Sequence, residues 1–154
     1  ILREVEAAAE NLERDYGVDA DVWSLTSANE LQREGKAVMR WNMLHPEDEP
    51  RVPYVTQQLA DESAPVIAAT DYMKAYTDQL REFMPGSFTA LGTDGYGRSD
   101  TRSMLRSFFE VSREFVVLSA LKALADQGDI EASRVSAGMK DLGISADKVD
   151  PLTV

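Results

Sequence analysis

Gly95-Tyr96-Gly97-Arg98-Ser99 stands at a predicted helix entrance, an arrangement suited to an anion. Backbone N–H groups and the helix dipole would hold a phosphate there, and Arg98 would add charge. The same residues also read as a tight turn, with Ser99 or Asp100 capping the helix that follows. A dinucleotide fingerprint places Gly-x-Gly-x-x-Gly after the first strand; here the third glycine is missing and the position is late. Asp94 and Asp100 offer oxygens to a divalent cation, but the dense ligand pattern and terminal Glu of a calcium loop are absent. They read as a cap and as salt-bridge partners for Arg98 or Arg102. His45 is the only histidine, between Trp41-Asn42-Met43-Leu44 and Pro46. Without a nearby nucleophile it makes no catalytic set. It reads as a helix-end residue near the last carbonyls, or as part of an interface. Glu47 and Glu49, and the pair Asp61 and Glu62, lie in polar loops as solvated charge. No residue is assigned to catalysis, cofactor or metal.

Bulk composition narrows the classes further. The chain has 154 residues, 44% of them hydrophobic and 28% charged, as expected of one globular domain over 1–154. Its net charge of -11 argues against a nucleic-acid backbone and against an anionic membrane surface. No apolar run approaches the ~20 residues that span a bilayer. The absence of cysteine removes disulfides, thiolate nucleophiles and cysteine-ligated zinc, and fits a cytoplasmic protein.

Strands alternating with helices must position these residues. Leu2, Val5, Ala8, Ala9, Leu12 and Tyr16 predict a first helix ending at Gly17, which suits a left-handed cap. The chain thus opens inside a helix with no cap before Ile1, which reads as a piece of a longer polypeptide. Val18–Leu25 reads as a strand. Ser27-Ala28-Asn29-Glu30 has the form of a capping box and opens a long helix toward Leu44, stopped by Pro46. Pro53 begins a short helix through Leu59. Val66–Ala69 reads as a covered strand, Met73, Tyr76, Leu80 and Phe83 as a helix, and Phe88–Leu91 as a third strand. Helices follow over 101–109, 112–126 and 131–142, with Gly143 as a stop. The fold expected is α/β, a three-layer αβα domain around a mostly parallel sheet. Three strands are few for such a sheet, so one or more are expected upstream of Ile1. Aromatic residues Trp41, Tyr54, Tyr72, Tyr76 and Tyr96 gather near element ends, which points to a subunit contact.

Four blocks in one order carry a family resemblance. They are Trp41-Asn42-Met43-Leu44-His45-Pro46, Pro50-Arg51-Val52-Pro53-Tyr54, Thr70-Asp71-Tyr72-Met73-Lys74 and the run from Leu91-Gly92-Thr93-Asp94 through Gly95-Tyr96-Gly97-Arg98-Ser99-Asp100. They closely resemble the C-terminal end of the homodimeric bacterial pyruvate dehydrogenases, as does the ending Ala146-Asp147-Lys148-Val149-Asp150-Pro151. A looser likeness reaches the transketolases, whose C-terminal domain has Asp-x-Phe-Gly-x-Ser where this chain has Asp94 to Ser99. The resemblance implies a cytoplasmic bacterial enzyme of three α/β domains that binds thiamine diphosphate and Mg²⁺ between its first two domains, across a homodimer interface. It implies decarboxylation of pyruvate and reductive acetylation of lipoyl groups on a dihydrolipoyl acetyltransferase core. The family's Gly-Asp-Gly…Asn motif, its activating Glu and its histidine cluster have no counterpart here, so the fragment alone is expected to be inactive and to bind no cofactor. Trp41, Asn42 and His45, with Asp94, Gly95, Tyr96, Gly97, Arg98, Ser99 and Asp100, are expected to make interdomain or intersubunit contacts.

Other readings stay open at this point. The domain would also suit a transketolase or another 2-oxo acid dehydrogenase, although Trp41 to Pro46 favours pyruvate dehydrogenase. A free-standing α/β interaction module and a small phosphate or nucleotide binder using Gly95 to Ser99 are the rivals of a different class.

Overall fold

A computed structural model describes residues 1–60 and 64–154. Asp61 and Glu62 therefore lie outside the described residues. Helix α1 (Leu2–Asn11) continues into a wider π turn over Leu12–Tyr16, and Gly17 ends it in the left-handed conformation. The widened turn follows from the buried stripe. Glu4, Ala8, Leu12 and Tyr16 recur every four residues, which advances ~40° per step round a regular helix. A turn of i→i+5 bonding brings Tyr16 back onto the buried face.

Strand β1 (Val66–Ala69) and strand β2 (Phe88–Leu91) form a parallel pair with Val66 opposite Phe88 and Ala69 opposite Leu91. Parallel neighbours need a crossover. It runs through helix α4 (Lys74–Asp78) and a 3-10 turn at Arg81–Phe83. The single helix expected over this stretch is thus two short pieces: the Leu80 amide bonds to Thr77 O and the Phe83 amide to Leu80 O, tightening the chain so that Leu80 and Phe83 both turn inward.

Both faces of the pair are covered, as the three-layer reading requires. Ile67, Ala69 and Leu91 pack against a core of Ala8, Leu12, Tyr16, Val117 and Leu121, drawn from α1 and helix α6 (Arg113–Gln127). Val66 packs on the other core, where Ala28, Val55, Leu59, Leu80 and Phe83 meet. That core joins helix α2 (Ala28–Leu44) to helix α3 (Tyr54–Gln58). Helix α5 (Arg102–Phe108) follows β2, and helix α7 (Ala132–Asp141) packs on α6. Most positions of α6 are apolar because it lies between the sheet, α1 and α7.

Two expectations are corrected. Val18–Leu25 is not a strand: among the described residues the sheet has two strands, and this segment pairs with neither. A strand exists through bonds to a neighbour, and this segment has none among the described residues; Val18 packs against the core, while Val22, Trp23 and Leu25 are exposed. The capping box is half made. Ser27 Oγ accepts from the Glu30 amide at 3.3 Å, but the Glu30 carboxylate pairs with Arg33 rather than turning back to Ser27. Among the described residues no helix is long and apolar enough to cross a membrane.

Leu121 is fully buried at the meeting of α1, α6 and the sheet. Leu121→Ala is expected to cost about 2–5 kcal/mol, the range for a buried Leu truncation, read from urea unfolding of the intact protein.

Candidate functional site

The loop after β2 is fastened to the loop after β1, so both strand ends share one edge. The Thr93 amide donates to Tyr72 O at 2.9 Å, and Thr93 Oγ1 donates to Asp71 O at 2.7 Å. Asp94 Oδ1 accepts from the Lys74 amide at 2.9 Å, capping the start of α4. This lacing needs Gly92: a Cβ there would lie 2.6 Å from Lys74 N and 2.7 Å from Tyr72 O, both backbone atoms. Gly95 has φ +101°, and a Cβ on it would stand 2.8 Å from Pro151 O, so the C-terminal segment rests on this loop.

Beyond Gly95 the loop faces solvent. Tyr96 is 85% exposed, and Gly97, Ser99 and Asp100 are exposed too. Arg98 lies over the Phe108 ring at 4.4 Å. The expected capping and ion pairs are corrected here. Thr101, not Ser99 or Asp100, caps α5 by accepting from the Met104 amide, while Asp100 accepts from the Thr101 amide. Neither Asp94 nor Asp100 pairs with Arg98 or Arg102, because Asp94 is turned to α4 and Asp100 to its own neighbour. Among the described residues no three His, Asp or Glu side chains are grouped to hold a metal ion.

The end of α2 is a second prepared surface. The Trp41 and His45 rings stack at 4.3 Å with planes 9° apart, and the Arg51 guanidinium sits 3.8 Å over Trp41. His45 Nδ1 lies 2.8 Å from Trp41 O, the helix-end contact expected of it. Asn42 holds Arg51 by both backbone groups, each at 2.9 Å, as a strand neighbour would. This clamp folds 46–53 back on the helix and leaves Met43, Leu44, Val52 and Tyr54 exposed together. No hydrogen bond, ion pair or ring contact joins this surface to the β2–α5 loop among the described residues.

A third feature escaped the sequence reading. Glu4, 8% exposed, lies between two guanidinium groups: Arg106 donates to Oε1 at 2.8 Å, and Arg113 donates to Oε2 from Nε at 3.0 Å. The Arg113 backbone amide also donates to Oε2. Arg113's hydrogen bond holds the Glu4 carboxyl below its ordinary 4.5, and Glu4 in turn raises Arg113. The signal in the sequence was a carboxylate placed one turn before Ala8 on the α1 stripe.

Residues 1–112 match the family model described as the transketolase-like TK C-terminal domain. The chain belongs to that family. The matched stretch includes the Asp94 to Ser99 loop and α5, and residues 113–154 supply α6, α7 and the tail. The pyruvate dehydrogenase E1 component of Pseudomonas aeruginosa is 54% identical over 153 residues, 99% of this chain and 17% of that protein. Its namesake in Escherichia coli K12 is 50% identical over 152 residues, 98% of the chain and 17% of that protein. The one from Mycolicibacterium smegmatis is 46% identical over 132 residues, 86% of the chain and 14% of that protein. The chain thus spans about a sixth of the length of these relatives.

Because the Glu4 pKa is lowered, its contribution to stability is complete above the unfolded value near 4.5 and is lost as pH falls through the folded value. Glu4→Gln is expected to lose about 1–3 kcal/mol at neutral pH, leaving two guanidinium groups without their counter-ion. Below pH 4.5 the gap between variant and parent should narrow, as read from urea midpoints across pH 3–7.

Proposed function

We propose that the chain is the C-terminal, non-catalytic domain of a homodimeric pyruvate dehydrogenase E1 component. Identity of 54% across 99% of the chain with a relative of that name carries the reading. The parent enzyme is an oxidoreductase of the bacterial cytoplasm that decarboxylates pyruvate and passes the acetyl group to lipoyl groups of an acetyltransferase core. Thiamine diphosphate with Mg²⁺ supplies the electron sink for that chemistry.

The residues of this chain do not fit that cofactor. Its one histidine is stacked on Trp41, and Asp94, the carboxylate nearest the glycine loop's start, is committed to the α4 cap. No Gly-Asp-Gly occurs in the sequence. The work of this domain is contact. One face is the Trp41–His45–Arg51 stack with Met43 and Tyr54 beside it, and the other is the Asp94–Asp100 loop with Tyr96 extended into solvent. Rigid aromatic and arginine groups of this kind make interface centres. The first face is pinned by the hydrogen bonds of Asn42 to Arg51 and the base of the second by those of Thr93 and Asp94, so little ordering is left there for binding to pay for.

The intact polypeptide, with thiamine diphosphate and Mg²⁺, should release CO₂ from pyruvate, and the 154-residue chain alone should release none. In the intact protein Trp41→Ala is expected to weaken dimerisation by about 30-fold, a hot-spot loss of roughly 2 kcal/mol, measured by sedimentation. Asp94→Ala should loosen the loop and lower dimerisation or specific activity; both staying unchanged would count against the assignment of that loop.

A further inference from the structure

A cleft of about 1250 Å³ opens between the start of α1, the β2–α5 loop and the start of α6. Arg3, Arg98, Arg102, Arg106 and Arg113 line it. Five of the chain's 16 Lys and Arg residues thus meet in one concavity, against three of its 27 carboxylates, Glu4, Asp71 and Asp100. In a chain of net charge -11 this is a local reversal of sign.

The pairing inside the cleft leaves positive charge over. Glu4 supplies one negative charge to two guanidinium groups, Arg106 and Arg113. Asp100 is engaged by the Thr101 amide. Arg98 contacts the Phe108 ring, and its charge has no carboxylate partner among the described residues. The Arg3 and Arg102 side chains make neither a hydrogen bond nor an ion pair among the described residues. A guanidinium offers a planar fork that matches phosphate or carboxylate oxygens two at a time. Positive groups in a concave wall also reinforce one another's field.

The geometry points to a binding site for a small multivalent anion, a phosphate ester or a polycarboxylate. Arg3 and Arg102 hold it at the rim, and the surplus charge of the Arg106–Arg113 pair attracts it from the floor. Glu4 keeps that pair in position and limits its charge. The site adds a ligand to a domain otherwise assigned to contacts.

The test is phenylglyoxal modification of the intact, cofactor-loaded protein, mapped by mass spectrometry in phosphate, in succinate and in chloride at equal ionic strength. Arg40, exposed, outside the cleft and without a partner among the described residues, is the internal control. Phosphate should slow modification of Arg3 and Arg102 about threefold once it reaches twice its dissociation constant, leaving Arg40 unchanged. Protection by succinate as well would extend the class to carboxylates, and protection by phosphate alone would restrict it to phosphate esters. In Arg102→Gln the protection of Arg3 should fall away while the melting temperature holds. Equal rates in all three salts, equal protection of Arg40, or Arg3 and Arg102 unreactive even in chloride would each overturn the proposal. The last result would mean that another part of the enzyme covers the cleft.

Discussion

One carboxylate ties the two ends of this domain together. Glu4 on α1 receives hydrogen bonds from Arg106 and Arg113, residues 102 and 109 positions further along the chain. Closing loops of that length costs chain entropy, which the apolar contacts of Ala8, Leu12, Val117 and Leu121 offset. Those contacts are non-directional, whereas the carboxylate fork is not. It joins the start of α6 to α1 by a directional contact. A buried ion of this kind is stabilising only while both its partners stay in place. The cleft is the outer side of the same arrangement, where charge left over by the fork meets solvent.

The two surfaces share a construction principle although no hydrogen bond joins them among the described residues. In each, a side chain acts as a backbone neighbour. Asn42 bonds both backbone groups of Arg51, and Asp94 accepts from the first amide of α4. Such substitutes hold irregular segments without a third strand or a longer helix. They free the ring and guanidinium groups around them to face outward.

Local signals in the sequence were read well and shared ones were not. β1 and β2 stand at the residues expected of them, because short apolar runs between Pro65 and Asp71, or after Gly86 and Ser87, admit no other element. Gly17 ends the first helix and Ser27 starts the second, each through bonds to residues close in sequence. Val18–Leu25 has strand-like side chains, yet pairing depends on a neighbour that no local pattern reveals. The role of Glu4 is not legible locally because its partners are a hundred residues distant. Trp41 to His45 stand at a helix end and Asp94 to Asp100 in a loop, as the flanking proline and the glycines indicate, whereas the clamp of Asn42 on Arg51 depends on how 46–53 folds back on α2.

Hydrogen exchange on the intact polypeptide is the most direct test of the claim that this domain works by being covered. The amides of residues 95–100 donate no hydrogen bond among the described residues, and this loop stands open to solvent. If the rest of the enzyme or a second subunit sits on the loop, peptides spanning 95–100 and 41–52 should exchange nearly as slowly as α6. Exchange of both within seconds, with α6 protected, would show two free loops and contradict the account.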